Sequence, residues 1–422
     1  MNLKVRLVIM NFLQFAVWGA YLTSMGSYLA SAGQGANIGA FYAMQGITSI
    51  FMPALIGIVA DRWIPAQKMM GICHLISSSF MLGMAYYAMQ TGTDANFGVL
   101  IGLFAVGIGF YMPSLSLSYA VAYNALEKAG MDTITTFPPI RTFGTVGFIC
   151  TMLLVDILGY QTTYMQFVVS GVLGILLGLY AMTLPECPIN KNAEKKSLVD
   201  ALGLKAFSLF KDRTMATFFI FSMLLGVALQ LSNSYANPFI TSFKAIPEYA
   251  NTFGANHANA LISLSQCSET LCILLIPFFL KRFGIKKVML MSMLAWVFRL
   301  GLLGAGNPGG GVWMFILSMI VYGVAFDFFN VSGSLFVNQT TDKSIRSSAQ
   351  GLFMLMTNGI GATLGTLGAQ NIVNYYTENV DGVMIGNWSS AWFIFAGYAL
   401  VVAILFAIFF KYDYKPTANK TT

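Results

Sequence analysis

Long apolar segments separated by short polar loops recur along the whole chain. Many of these segments are close to the roughly 20 residues that an α-helix needs to cross a lipid bilayer. They predict twelve membrane-spanning helices, at about 6–30, 37–60, 69–89, 97–122, 137–158, 163–184, 214–237, 257–280, 287–305, 312–338, 346–373 and 388–410. The first segment contains no small-residue cleavage site, so we interpret it as a retained span rather than a signal peptide.

The composition supports this prediction of an all-α membrane protein. Hydrophobic residues make up 57% of the chain, charged residues only 9%, and the mean hydropathy is +0.70. A soluble domain carries about a quarter charged residues, so most of this surface is not expected to face water. No nucleophile–base pair and no cluster of metal ligands recurs in one region, so neither an enzyme nor a bound metal or cofactor is expected.

The distribution of Lys and Arg predicts the orientation in the membrane. Basic residues flank alternate loops, at Lys4, Arg6, Arg62, Lys68, Lys128, Lys191, Lys195, Lys196, Lys205, Lys211, Arg213, Lys281, Arg282, Lys286, Lys287, Lys343, Arg346, Lys411, Lys415 and Lys420. Lys244 alone breaks the alternation. By the positive-inside rule, both termini are expected in the cytoplasm. The net charge of +7 therefore indicates contact with anionic lipid headgroups rather than with nucleic acid.

One long basic connection, residues 185–213, divides the chain into an N-terminal half (residues 1–184) and a C-terminal half (residues 214–422). Its segment "SLVDALGLKAFSLF" has helical apolar spacing and predicts a possible helix on the membrane surface. Six spans on each side of a charged linker is the plan of transporters that are built from two repeats.

Polar residues inside the spans are the exceptions that indicate function. In "SLSQCSETLCILLIPFF", Gln266 and Glu269 are three residues apart and therefore share one helix face. Gln230 and Asn233 have the same spacing in the seventh span. A carboxylate at the centre of a span costs about 2.5–3.5 kcal/mol on insertion scales, so a role for Glu269 is expected.

Two further spans carry stripes of the same kind. The fifth presents Arg141, Thr145 and Phe148 at i, i+4 and i+7, and the tenth presents Tyr322 and Phe326, with Asp327 beside them. Because these residues are unsuited to lipid, the four stripes are expected to converge on a cavity between the two halves.

The chemistry of these residues predicts a neutral ligand and a coupled proton. Amide side chains can pair with the edges of a base or with sugar hydroxyls, and the aromatic rings offer faces for stacking. Glu269 or Asp327, if protonated before the cavity turns inward, could couple proton entry to ligand entry.

Structural interpretations of the same residues remain open at this stage. Gln230 and Asn233 could simply bridge helices, Asp327 could pair with a basic group, and Arg141 could anchor the cytoplasmic end of its span.

Other polar residues in the spans are expected to be mainly structural. Arg299 is interpreted as a structural partner or a snorkelling side chain, and Asp156 and His74 as structural. Trp18 and Gln14, four residues apart on the first span, could line the cavity.

The segment "GIVADRW", Gly57–Trp63, has the G-x-x-x-D-R form that is typical of the second-to-third-span loop in the major facilitator superfamily. Asp61 and Arg62 are expected to form a charge latch that breaks between inward- and outward-facing states. An ordinary solvated turn is the alternative.

Several longer segments, including "DTITTFPPIRTFGTVGF", "FFIFSMLLGVALQLSN", "SLSQCSETLCILLIPFFLKRFGIKK" and "SMIVYGVAFDFFNVSGSLFV", resemble the nucleoside:H+ symporter family of the major facilitator superfamily. The resemblance covers nearly the whole chain. It implies a fold of two six-helix halves and proton-driven uptake of purine and pyrimidine nucleosides across the bacterial inner membrane by alternating access. Protons would be the coupling ion, with no other cofactor, and a monomer suffices for such a fold.

Residue by residue, the resemblance implies a nucleoside site made of Arg141, Thr145, Phe148, Gln230, Asn233, Gln266, Glu269, Tyr322 and Phe326. Two other functions are compatible with the stripes alone. One is a proton-coupled sugar or oligosaccharide permease of the same fold, and the other is a channel or receptor without coupled transport.

Overall fold

The computed structural model describes residues 2–189, 204–342 and 345–412, and it is built almost entirely from α-helices. The helices of the first half are α1 Leu3–Gly19, α2 Met25–Ser31, α3 Ile38–Arg62, α4 Ala66–Thr91, α5 Phe97–Lys128, α6 Thr133–Ile157 and α7 Met165–Ala181. Those of the second half are α8 Arg213–Ser242, α9 Phe253–Asn256, α10 Ala258–Ala305, α11 Val312–Thr340, α12 Arg346–Met354, α13 Ala362–Tyr376 and α14 Trp388–Phe409. Short 3-10 turns cover Gly35–Asn37, Gly92–Asp94, Tyr160–Thr162, Leu204–Lys211 and Phe243–Ala245.

These helices account for the twelve predicted spans of a major facilitator fold. Within the described ranges, nine helices are long and apolar enough to cross a membrane, and α7 is a shorter apolar helix. One of the nine, α10, contains two predicted spans, and α1 with α2 forms the remaining one. Apolar length therefore located every span, although four spans differ in detail from continuous, separate helices.

The first predicted span is broken between α1 and α2. Residues 20–24 form turns rather than helix, and Thr23 in this break donates a hydrogen bond of 2.9 Å to the Asn259 side chain of the second half. Gly19 lies directly against the backbone of Phe148, an approach that a larger residue would prevent. Hydropathy does not detect such a break because the residues on both sides of it are apolar.

The eighth and ninth predicted spans are joined through a sharp bend rather than separated by a loop. Gly284 has φ 76° and ψ 167° inside the continuous run of α10. This positive φ is accessible to glycine at little cost. The chain therefore bends at Gly284, and helix continues on both sides of it.

The eleventh span also departs from regular geometry. Between α12 and α13, residues Leu355–Gly361 form a π-helix. Segments of this kind are rare and often occur at functional sites. Here, Leu355, Asn358 and Gly359 line the central cavity.

The loop before the last span contains a β-hairpin that we did not predict from the sequence. Strands β1 Thr377–Val380 and β2 Val383–Gly386 pair in antiparallel register. Asp381 and Gly382 between them both have positive φ, 50° and 80°, as in the type I′ turns that favour Asp-Gly. The sequence signal that would have predicted this hairpin is therefore the Asp381–Gly382 pair between the two strands.

Only a portion of the predicted linker helix can be compared with the structure. Residues 204–211 form a 3-10 helix, whereas residues 190–203 lie outside the described ranges. The predicted latch residues Asp61 and Arg62 end α3, and their side chains also lie outside what the structure describes.

The packing divides the membrane helices into two bundles that meet along a few helix pairs. In the first half, α4 packs against α5 and α7, and α1 packs against α6; in the second, α10 packs against α11 and α14. The halves meet where α3 contacts α13, α6 contacts α10 and α2 contacts α8. Both halves contribute residues to the lining of a central cavity.

Glycine allows the π-helix to pack closely on α8. A Cβ atom at Gly226 would clash with the carbonyl oxygen of Thr357, and one at Gly361 would clash with that of Met223. Small residues that let backbones approach are typical of membrane helix interfaces.

We expect Gly226→Ala to lower the free energy of unfolding by about 1–3 kcal/mol, as overpacking commonly does, because backbone must shift to admit the methyl group. Thermal unfolding in detergent measures the effect. Gly301→Ala is the matched control, since Gly301 is also helical but a Cβ there meets no atom within 4 Å. Equal unfolding midpoints for the two variants would contradict the importance of this contact.

Candidate functional site

A large cavity of about 760 Å³ lies between the two halves. Its lining includes all nine predicted ligand-binding residues, which are Arg141, Thr145, Phe148, Gln230, Asn233, Gln266, Glu269, Tyr322 and Phe326. The volume falls in the range of roughly 300–1,000 Å³ that is usual for small-molecule sites. Four separate helices thus bring their polar and aromatic stripes to one place.

On α6, the Arg141 side chain is held from two directions. Its Nε donates a hydrogen bond of 2.9 Å to the Tyr119 hydroxyl, and its guanidinium carbon lies 3.8 Å from the centre of the Phe15 ring. Thr145 and Phe148 follow one and two turns later and also line the cavity. Arg141 is therefore a cavity residue with a fixed orientation rather than only an anchor at a helix end.

The amide and carboxyl groups of α8 and α10 form a second wall of the cavity. Asn233 donates a hydrogen bond of 3.2 Å to Gln230 on the same helix, which leaves other donor and acceptor positions of both amides for a ligand. Gln266 and Glu269 line the cavity from α10. Neither side chain of this second pair forms a hydrogen bond to another side chain within the described ranges.

The rings of Tyr322 and Phe326 on α11 form the third wall. They lie parallel, with ring centres 5.6 Å apart and an interplanar angle of 3°. Asp327 is different: it is buried outside the lining, and its Oδ2 has no hydrogen-bond partner among the described residues. The structure thus brings Glu269 to the cavity but places Asp327 behind it.

Several cavity residues were not predicted from the sequence. Phe15, Tyr119, Gln45, Ser49 and Asn358 belong to the lining. One sequence signal was available for this part of the lining. Phe15, Trp18 and Leu22 have helical spacing on the first span, and all three line the cavity.

Of the two residues considered on that span, Trp18 lines the cavity and Gln14 does not. Gln14 instead donates a hydrogen bond of 2.8 Å to Ser114, and its side-chain oxygen lies 2.8 Å from the His74 Nε2. These contacts place Gln14 and His74 in a structural cluster inside the first half. Arg299 is only 2% exposed, so it does not snorkel.

Polar contacts between the two halves concentrate at one end of the molecule. We define the basic end as that of the Lys- and Arg-bearing loops and the lysine-poor end as the opposite one. Each hydrogen bond that the structure describes between the halves lies at the lysine-poor end. The cavity therefore lies beneath a polar closure at that end.

Asn237 is central to this closure. It accepts a hydrogen bond of 2.5 Å from Ser27, and it donates bonds of 2.9 Å to Gln161 and 2.8 Å to Asn259. All four side chains are buried. Their bonds join α2 and the turn between α6 and α7, in the first half, to α8 and α10 in the second.

A contact between a histidine and a carboxylate lies beside these amides. The His257 Nδ1 is 2.8 Å from Asp156 Oδ2, and Gln161 donates a hydrogen bond to the other oxygen of the same carboxylate. The Asp156 side chain is 2% exposed and that of His257 is 39% exposed. Asp156, which we interpreted as structural, therefore contributes to the contact between the halves.

Toward the basic end the cavity continues rather than closes. Its lining extends along α12 to Ser348, Gly351 and Met354, close to the basic loop that precedes this helix. Among the described lining residues, Arg141 is the one basic residue and Glu269 the one acidic residue. This arrangement suits an uncharged polar ligand and leaves the cavity open toward the basic end. No group of metal ligands occurs within the described ranges.

The chain is similar to known proteins over nearly its whole length. Residues 1–415 match the family model described as "Nucleoside H+ symporter". The chain is 47% identical over 427 residues to the nucleoside permease NupG of Escherichia coli K12, covering 100% of this chain and 99% of that protein. It is 45% identical over 423 residues to the xanthosine permease of the same strain, with the same coverage.

Solved structures agree with these sequence matches. A crystal structure of the nucleoside transporter NupG superposes with a TM-score of 0.89 at 45% identity, covering 98% of this chain and 100% of that one. An auto-inhibited POT-family peptide transporter superposes with a TM-score of 0.70 over all of this chain and 99% of its own, at 13% identity. That second match supports the fold alone.

We expect Asp156→Asn to loosen the closure at the lysine-poor end, because it removes the charge that faces His257 while keeping the side-chain shape. Hydrogen–deuterium exchange of residues 25–31 should become roughly twofold to fivefold faster, the size of effect expected when a partly exposed contact worth up to about 1 kcal/mol is lost. Asp94→Asn is the control, since Asp94 is an exposed carboxylate outside the contacts between the halves. Unchanged exchange in both variants would show that the amides alone hold the halves together.

Proposed function

The chain belongs to the nucleoside H+ symporter family, and from this premise we propose that it imports purine and pyrimidine nucleosides together with protons. It is a transporter rather than an enzyme. The observation that supports the proposed site is the convergence of nine polar and aromatic side chains from four helices on one cavity.

The chemistry of the cavity fits the two parts of a nucleoside. The rings of Phe148, Tyr322 and Phe326 offer apolar faces on which a base can stack. The amides of Gln230, Asn233 and Gln266 can pair with base edges or ribose hydroxyls, because each amide offers both donors and an acceptor.

Arg141 and Thr145 complete the proposed site. Tyr119 and Phe15 hold the guanidinium of Arg141 in place, so its remaining N–H groups can donate to a ligand carbonyl or hydroxyl with little loss of side-chain freedom. The Thr145 hydroxyl can act as donor or acceptor one helical turn away.

For the coupled proton we propose Glu269 as the principal group and Asp327 as the alternative. Glu269 shares the cavity with Arg141 and with the ligand positions, so its protonation can alter ligand binding directly. Asp327 is buried on α11 next to Phe326 and could influence the ligand only through neighbouring groups.

Transport by alternating access requires the cavity to open to each side in turn. We propose that the basic end is cytoplasmic, with both termini there, and that the described conformation faces inward in the bacterial inner membrane. The proposed moving units are residues 1–184 and 214–422, connected by the linker 185–213. Asp61 and Arg62, at a basic loop, are proposed as a charge latch between states, and a monomer is proposed as the working unit.

We expect wild-type protein in proteoliposomes to accumulate radiolabelled uridine when an inward proton gradient is imposed. Glu269→Gln should abolish this accumulation, because the amide cannot release a proton, while exchange of labelled for unlabelled uridine continues. Glu127→Gln, which alters an exposed carboxylate at the end of α5, should behave like the wild type.

The other outcomes assign different roles. Loss of binding as well as accumulation in Glu269→Gln would make Glu269 a ligand-binding group first, and Asp327→Asn would then be tested for the proton. Absence of uridine uptake by folded wild-type protein would contradict the nucleoside proposal. Stronger competition by free ribose than by unlabelled nucleoside would favour a sugar permease.

A further inference from the structure

Arg299 is a buried cation that the proposed transport cycle does not use. It lies in the second segment of α10, after the bend and outside the cavity lining, and only 2% of it is exposed. Its Nη1 donates a hydrogen bond of 2.8 Å to the Ser318 carbonyl oxygen, and the Ser318 hydroxyl donates one of 2.9 Å to the Arg299 carbonyl oxygen. These reciprocal bonds fix the position of Arg299 between α10 and α11.

The main counterpart of its charge is an aromatic ring. No carboxylate in the described ranges lies within 4.0 Å of the guanidinium, and the buried Nε has no hydrogen-bond partner there. The guanidinium carbon lies 4.6 Å from the centre of the Tyr322 ring. Since a buried charge is unfavourable without compensation, this cation–π contact strongly favours the observed position of the ring.

The same ring is restrained by two more aromatic neighbours. Trp296 meets Tyr322 edge-on, with ring centres 6.0 Å apart and an angle of 89°, and Phe326 lies parallel to it. We call Tyr322 and Phe326 the ring pair. Because both members line the cavity, their parallel arrangement provides a flat apolar surface there.

We propose that Arg299 is a positioning residue that holds the ring pair in the orientation a planar base requires. It does not touch the ligand and acts through Tyr322. Arg299 thereby favours ligands with an aromatic base over ligands that are sugars only. This inference rests on the proposed nucleoside function and assigns a specificity role within the same site.

The test compares the kinetics of radiolabelled uridine uptake in proteoliposomes for wild type and Arg299→Gln. The KM should rise about three- to thirtyfold, the range that a desolvated cation–π contact supports, with little change in maximal rate. Arg299→Lys keeps the charge and should restore part of the affinity. Arg282→Gln is the matched control, because Arg282 is exposed and its guanidinium carbon lies 5.8 Å from the centre of the Phe283 ring, outside the cavity lining.

A double-mutant cycle separates positioning from a general structural effect. In a Tyr322→Leu background, Arg299→Gln should raise KM much less than it does in the wild type, because the ring through which it acts is gone. Size-exclusion chromatography in detergent checks that each variant is folded. If Arg299→Gln does not fold, the cycle uses Arg299→Lys.

The outcomes separate this inference from the function on which it rests. Failure of folded wild type to take up uridine would overturn the proposed function. Active wild type with an unchanged KM in the Arg299 variant would overturn only the role of Arg299. Additive effects of the Arg299 and Tyr322 substitutions would also overturn it, since they would show that Arg299 does not act through the ring.

Discussion

The exclusion of water from the bilayer core is the constraint on which the rest of this structure depends. Each backbone N–H and C=O group in that layer needs a partner within the protein, which leaves helices as the spanning elements here. The same constraint directs polar side chains inward, since lipid offers them no hydrogen bonds. The cavity and the closure above it therefore collect the polar groups that the outer surface cannot carry.

These inward-facing groups fall into two sets with different physical roles. At the lysine-poor end, amides and the Asp156–His257 pair bond to one another and hold the halves together. In the cavity, Gln266 and Glu269 lack such protein partners in the described ranges and are available to a ligand. A site that binds and releases its ligand needs this second kind of polar group, and a closure that opens needs bonds that can be exchanged for water.

Irregular backbone occurs where the two halves and the cavity meet. The break after α1 and the π-helix before α13 both interrupt otherwise regular spans. Glycine permits the closest backbone contacts, as at Gly226, which packs against the backbone of the π-helix. Such interruptions are tolerated at membrane depth when neighbouring helices or a cavity cover the freed backbone groups.

By itself, the sequence determined the number of spans, because a bilayer imposes a length and an apolar composition that each segment must satisfy locally. It also determined which polar and aromatic residues lie together on one face of each helix, since residues at i, i+3, i+4 and i+7 share a helix face whatever surrounds the helix. Only the tertiary structure decided which faces meet. Gln14 turned into the first half while Trp18 reached the cavity, and Asp327 lay outside the cavity that Glu269 lines. Among the described residues, the main counterpart of the Arg299 charge is the Tyr322 ring rather than a carboxylate, because contacts between helices depend on packing that no local spacing encodes.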